Sequence, residues 1–198
     1  MTDRQSLYPV FLKLTGCRVL VVGGGPVAAS KLEALVGAGA VVHVVAPEVV
    51  PEIAALGLAI SRRPFVDADL DGAWFVVAAA TPEVNRQVAD AAESRHVFVN
   101  AVDDLASATA YLGGVVRKGG VTLAISTDGQ APALAGLLRE GLEGVLPDEL
   151  EAWHTTAKAA RHDWLQRGVP MPARRPLLLQ AINRLYEPVG RATAEPAS

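Results

Sequence analysis

Three glycines set between an apolar run and a helix constrain this chain more than any other feature. Cys17 to Val22 reads CRVLVV, Gly23, Gly24 and Gly25 follow, and a helical pattern opens at Pro26 with Val27, Leu32, Leu35 and Val36 available to pack. Gly23-Gly24-Gly25-Pro26-Val27-Ala28 has the form G-x-G-x-x-A. In a strand-turn-helix unit the first glycine permits the tight turn and the second lets backbone approach a pyrophosphate. The small third residue allows helix and strand to pack closely. Free N–H groups at such a helix start favour a diphosphate. A glycine-rich turn without a ligand is the plain alternative; the βαβ context argues against it.

The context continues downstream. Val41 to Ala46 (VVHVVA) is a second β-branched run, Leu58 to Arg62 a third, Trp74 to Ala79 a fourth and Val97 to Asn100 a fifth. Helices are expected at Val49 to Leu56 and from Pro82 to about Ser94, the latter with Thr81 as its N-cap. Apolar strands alternating with helices imply an α/β fold, a Rossmann-type parallel sheet covered on both faces. After about residue 105 the pattern changes. Ala110–Val116 and Val121–Ser126 read as a β-hairpin, Pro132–Leu146 as a helix, and Asp148 as the cap of another reaching Arg167. The Pro-rich stretch VPMPARRP then leads to a last helix over Leu177–Tyr186. The expected organisation is a dinucleotide-binding domain (1–108), a hairpin-and-helix segment (109–146), a helical region (147–188) and a loose tail (189–198).

Charge and composition remove several functions. A net charge of −3 leaves no basic footprint for nucleic acid. The opening MTDRQSLYPVF has no apolar signal core, and no apolar run approaches a membrane span, so a cytoplasmic protein without membrane contact is expected. Cys17, the one cysteine, fits a reducing compartment. Tyr8 and Tyr111 lack a lysine four residues on, and neither a G-x-S-x-G elbow nor a P-loop occurs. His154 and His162 lie eight apart on one helix, outside the i, i+4 spacing of a zinc pair, so no protein-held metal is expected.

The candidate site gathers where ligands of open α/β sheets lie, beyond the carboxyl ends of the strands. The second strand ends in Ala46-Pro47-Glu48, so Pro47 and Glu48 border the ribose position. No arginine follows there to hold a 2′-phosphate, and NAD is the expected cofactor. Ala80, Thr81 and Asn85 after the fourth strand, and Asn100 at the end of the fifth, complete the expected cofactor contacts. Asp103 and Asp104 come next; each is either a general base near the nicotinamide or a cap for the following loop, and local sequence leaves both readings open. Ser126, Thr127, Gly129 and Gln130 precede the helix at Pro132 and offer hydroxyl and N–H groups to an anion, with Arg139 beyond them; an ordinary helix entrance is the bland reading.

Four stretches then become recognisable together: VVGGGPVAASK (Val21–Lys31), AATPEVN (Ala79–Asn85), VNAVDD (Val99–Asp104) and LAISTDGQAPALAGLLRE (Leu123–Glu140). In this order, across residues 7–147, they resemble the precorrin-2 dehydrogenase family, the dehydrogenase and ferrochelatase part of siroheme synthase. The resemblance implies NAD-dependent oxidation of precorrin-2 to sirohydrochlorin, with Fe²⁺ insertion in some members, and a homodimer built on the hairpin-and-helix segment. It places the catalytic aspartate on Asp103 and the substrate carboxylates near Ser126–Pro132 and Arg139. The chain departs from the family where Ser-Phe is usual, at Thr109 and Ala110, and in the S-G-G-x-S-P loop, at Asp128 and Ala131. A separate methyltransferase is expected to supply the substrate. Two rival readings remain: an NAD(H)-sensing module without catalysis, and a family member kept only as a chelatase.

Overall fold

The computed structural model describes residues 7–102 and 104–187. A five-stranded parallel sheet in the order β3-β2-β1-β4-β5 forms from β1 (Arg18–Val22), β2 (Val41–Val45), β3 (Ala59–Ser61), β4 (Phe75–Ala78) and β5 (Phe98–Ala101). The strands are short and rich in valine, as a sheet buried on both faces requires. Alternation divides the core into two. Leu20, Val22, Val45, Val76, Ala78 and Val99 pack with Val88, Ala91 and Ala92 of α3 (Pro82–Glu93). Val19, Val21, Val42, Val44 and Val77 pack with Ala28, Leu32 and Leu35 of α1 (Pro26–Gly37), and with Ile53 of the one-turn α2 (Pro51–Ala54). Val27 and Val36, expected to pack, stand 45% and 44% exposed, because the narrower stripe through Ala28, Leu32 and Leu35 meets the sheet.

The chain divides into two compact units, 1–112 with 128–130, and 113–127 with 131–198. The second contains the antiparallel hairpin β6 (Gly114–Lys118) and β7 (Val121–Ile125), and helices α4 (Pro132–Val145), α5 (Leu150–Gln166) and α6 (Met171–Asn183). Helix α4 lies directly on β6: a Cβ at Gly114 would crowd the carbonyl oxygen of Ala135 and the Cβ of Arg139. Among the described residues no helix is long and apolar enough to cross a membrane.

Two local expectations are corrected, at Asp148 and in the Pro-rich stretch. Asp148 does not cap α5; its carboxylate pairs with Lys118 at 2.7 Å, and the same ammonium donates to the Leu146 carbonyl at 2.7 Å, tying the hairpin to the end of α4. Thr81 is the N-cap residue of α3, as expected, although its hydroxyl makes no capping bond. The Glu83 N–H first, and then the Thr81 hydroxyl, bond the Glu83 carboxylate and hold that carboxyl below its ordinary range. The Pro-rich stretch is helical: Pro170 is the N-cap of α6 and Pro172 sits in its first turn, where a missing N–H costs nothing. Pro176 lies inside the same helix, which ends at Asn183 before a 3-10 turn over Arg184–Tyr186.

The edge of the sheet beside β2 is fastened by a polar staple. The 3-10 turn Asp67–Leu70 places Asp69, 5% exposed, against Arg63, whose two terminal nitrogens donate to its two carboxylate oxygens at 2.9 and 2.5 Å. The Val66 N–H adds a third bond at 3.0 Å. The Arg63 hydrogen bond and the Val66 N–H hold the Asp69 carboxyl below the usual carboxylate range against the opposing effect of burial. A depressed folded-state value stabilises the fold above the unfolded-state pKa and is lost as pH falls through the folded one. Asp69→Asn is therefore expected to cost about 2 kcal/mol near neutrality. The gap between wild type and variant should narrow below about pH 4; denaturant titrations at pH 7 and pH 3 would check both.

Candidate dinucleotide site

The glycine turn is fixed from two sides. Gly23 adopts φ +122°, and a Cβ there would strike the carbonyl of Ala79 at the end of β4. At Gly24 a Cβ would strike the Glu48 carbonyl oxygen in the loop after β2. The backbone closes the same contact: Gly23 donates to the Val45 carbonyl at 3.0 Å, and Val50 donates to the Gly24 carbonyl at 2.8 Å. Gly23 and Gly24 are thus demanded by packing. Gly25 is different, since a Cβ there would meet nothing within 4 Å. It is the N-cap of α1, no side chain caps the helix, and Pro26 follows at N1. The first-turn N–H groups of a helix have no intrahelical acceptor. A helix start with no side-chain cap and with open space beside Gly25 fits a pyrophosphate, so the residues present suit a dinucleotide.

Ala28, fully buried, supplies the close helix–strand contact expected of the sixth motif position. Pro47 and Glu48 are exposed, and Glu48 borders the glycine turn through its main-chain oxygen. Asn85, 3% exposed on α3, accepts the Ala80 N–H at 2.9 Å and so fixes the loop between β4 and α3, with Ala80 and Thr81 at its surface. Asn100, 7% exposed, donates to the Ala110 carbonyl at 3.0 Å. Both amides hold backbone at the carboxyl edge.

Asp103 lies outside the described residues. Its neighbours are pinned: the Val102 N–H donates to the Ala78 carbonyl at 2.9 Å, and Asp104 is bound into the next turn. The Asp104 carboxylate accepts from the N–H groups of Ala106 and Ser107 and, at 2.6 Å, from the Ser107 hydroxyl. The Ser107 hydroxyl first, with these N–H groups, holds its carboxyl below the ordinary value. Asp104 takes the capping role that local sequence left open between the two aspartates.

The departures at Thr109 and Ala110 acquire a structural meaning. The Thr109 hydroxyl accepts the Val99 N–H at 2.8 Å, and the N–H groups of Thr109 and Ala110 both reach the Val99 carbonyl at 2.9 Å. Threonine keeps the hydroxyl that a serine would offer there. Sequence reading missed this function; the signal was a hydroxyl residue eight positions after the end of an edge strand. In the 126–132 stretch, Thr127 accepts the Ala131 N–H through its hydroxyl at 3.2 Å. Asp128 and Gly129 both have positive φ, at 53° and 72°, and Gly129 packs on the side chain of Leu105 and the ring of Tyr111. Gln130 is exposed, as is Ser126. Arg139 pairs with Glu140 at 3.1 Å and Glu143 at 3.0 Å.

Comparisons with known proteins agree with this geometry. A family model described as "Putative NAD(P)-binding" matches residues 10–114. The siroheme synthase of Photorhabdus laumondii subsp. laumondii is 39% identical over 180 residues, covering 88% of this chain and 38% of that protein. Siroheme synthase 3 of Aeromonas hydrophila subsp. hydrophila is 40% identical over 172 residues, covering 84% of the chain and 37% of the relative. The chain thus spans under two fifths of these relatives' lengths. A solved structure, "SirC, precorrin-2 dehydrogenase", superimposes with TM-score 0.71 and 27% identity over 91% of this chain and 92% of its own. Matched over more than half of its 198 residues, the chain belongs to this NAD(P)-binding family, with NAD the cofactor that the family and the precorrin-2 dehydrogenase neighbour support.

Proposed function

We propose that the protein oxidises precorrin-2 to sirohydrochlorin with NAD⁺. The observation that carries this reading is the correspondence with a precorrin-2 dehydrogenase over nine tenths of both chains. The siroheme synthase relatives point to the same pathway over most of this chain. A non-catalytic NAD(H) sensor needs neither an aspartate beyond β5 nor the 126–132 loop.

Bound NAD⁺ supplies the hydride acceptor. Gly23, Gly24, Gly25, Pro26, Val27 and Ala28 would hold its pyrophosphate, and Pro47 and Glu48 would border its ribose. Ala80, Thr81, Asn85 and Asn100 would complete the cofactor contacts, the two amides by holding the backbone at the carboxyl edge. Loss of a hydride from precorrin-2 leaves a proton to be removed, and Asp103 takes it as general base. The products balance as sirohydrochlorin, NADH and H⁺. Ser126, Thr127, Gly129, Gln130 and Arg139 receive the acetate and propionate groups. The Arg139 pairs with Glu140 and Glu143 are part-exposed and cheap to exchange for a substrate carboxylate. With Fe²⁺ as a second substrate, the same aspartate accepts protons displaced from the pyrrole nitrogens, extending the reaction to siroheme.

The protein works as a homodimer in this reading. Along α4, Leu134, Leu137, Leu138, Leu142 and Val145 are 37–79% exposed at helical spacing, while only Ala135 of that helix is buried. An isolated two-stranded hairpin is marginal in water, and a second copy would cover the stripe beside it.

Anaerobic incubation with precorrin-2 and NAD⁺ tests the reaction: NADH and sirohydrochlorin should appear in equal amounts. Asp103→Asn is expected to lose about a hundredfold or more of this turnover while NAD⁺ binding is retained; undiminished turnover would remove Asp103 from catalysis. Addition of Fe²⁺ to the completed reaction should replace the sirohydrochlorin spectrum by that of siroheme, and an unchanged spectrum would restrict the protein to dehydrogenation. Leu137→Glu should halve the mass measured by light scattering, and an unchanged mass would place the dimer contact elsewhere.

A further inference from the structure

Reading along the chain finds no arginine after β2, but the sheet supplies one from the neighbouring strand. Strands β2 and β3 run parallel with Val45 opposite Ser61, and the Ala46 N–H donates to the Ser61 carbonyl at 3.1 Å. Arg62 is therefore level with the end of β2, one strand spacing of about 4.8 Å to the side. The next N–H, that of Arg63, turns back to the same Ser61 carbonyl at 3.0 Å, so Arg62 forms the apex of a tight turn at the carboxyl edge.

The two adjacent arginines have different fates. Arg63 is held by Asp69 in a two-pronged pair. Arg62 is exposed and makes no hydrogen bond or ion pair among the described residues. It stands beside the end of the second strand, where the adenosine ribose of a dinucleotide lies in folds of this kind. The β2 strand ends in Val45-Ala46 and carries no acidic residue there; the loop after it closes on the glycine turn through Glu48 and Val50. An acidic residue at the strand end accepts the 2′-hydroxyl of NAD and repels a 2′-phosphate, whereas a nearby arginine accommodates that phosphate. Here the strand end lacks the acid, Glu48 stands further along the loop, and the backbone of Arg62 is level with the strand end, within side-chain reach of it.

We infer that Arg62 binds the 2′-phosphate of NADP, so that the site takes NADP as well as NAD. The inference rests on the dinucleotide reading of the glycine turn. A guanidinium presents paired donors to a phosphate and Lys only a point charge, so the contact is directional as well as electrostatic. NAD, which has a hydroxyl at that position, gains little from Arg62.

Calorimetric titration with NAD⁺, NADP⁺ and 2′,5′-ADP tests this without reference to turnover. Wild-type protein is expected to bind NADP⁺ within about tenfold of NAD⁺, a difference of about 1.4 kcal/mol. Arg62→Ala should weaken NADP⁺ and 2′,5′-ADP by about tenfold and leave NAD⁺ unchanged. Arg62→Lys should fall between. Arg63→Ala removes the same charge one residue away and should leave the ratio of the two dinucleotides as in wild type, which separates a specific contact from a general loss of positive charge. An NADP⁺ to NAD⁺ ratio unaltered by Arg62→Ala would overturn the assignment, as would wild-type preference for NAD⁺ beyond a thousandfold. Folded protein that binds neither dinucleotide would overturn the dinucleotide reading itself, and this inference with it.

Discussion

The tight closure of Gly23 and Gly24 against two neighbouring backbones is the constraint from which the carboxyl edge of the sheet is built. Gly23 is held by the ends of β2 and β4 together, and Gly24 by the loop after β2. Side chains at either position would push apart strands whose valines fill the core. Because the turn is locked, Gly25 and the opening of α1 have one place to stand, with no side chain capping the helix and open space beside Gly25. A ligand with a diphosphate can use that preformed geometry without first ordering it, which removes part of the entropy cost of binding.

Farther along the same edge, amides and hydroxyls replace glycine as the positioning device. Asn85 holds the start of α3, Asn100 and Thr109 hold the chain after β5, and Asp104 organises the turn between them. None of these groups needs to touch a ligand in order to matter. Each fixes a stretch of main chain that would otherwise be free to wander at the mouth of the site. Position 103 lies between Val102, whose N–H is bound to the Ala78 carbonyl at the end of β4, and Asp104, whose carboxylate is bound into the following turn.

Much of this was legible in the residues because strong local signals and tertiary demands agree. The GGGPVA turn, the β-branched runs and the helix at Pro82 each combine pattern with punctuation, and all appear where those features put them. One misreading arose from a side chain with two available partners: Asp148 could cap a helix or meet Lys118, and the ionic partner wins. The proline-rich run misled because prolines at and just after an N-cap punctuate a helix start as well as a linker. Arg62 was invisible for another reason, since only strand register brings it beside the end of β2.

The bond set between Val99 and Thr109-Ala110 also bears on the birth of the protein. Strand β5 is the outer strand of the sheet, and its exposed edge is a template for pairing with another chain until those two residues arrive. Synthesis proceeds from the amino terminus, so β5 is complete while its cover is still being made. The Thr109 hydroxyl and the two N–H groups beside it then act as a seam, closing the sheet within its own chain. A nascent chain thus presents this edge of β5 without its own cover in the interval between emergence of Ala101 and of Ala110.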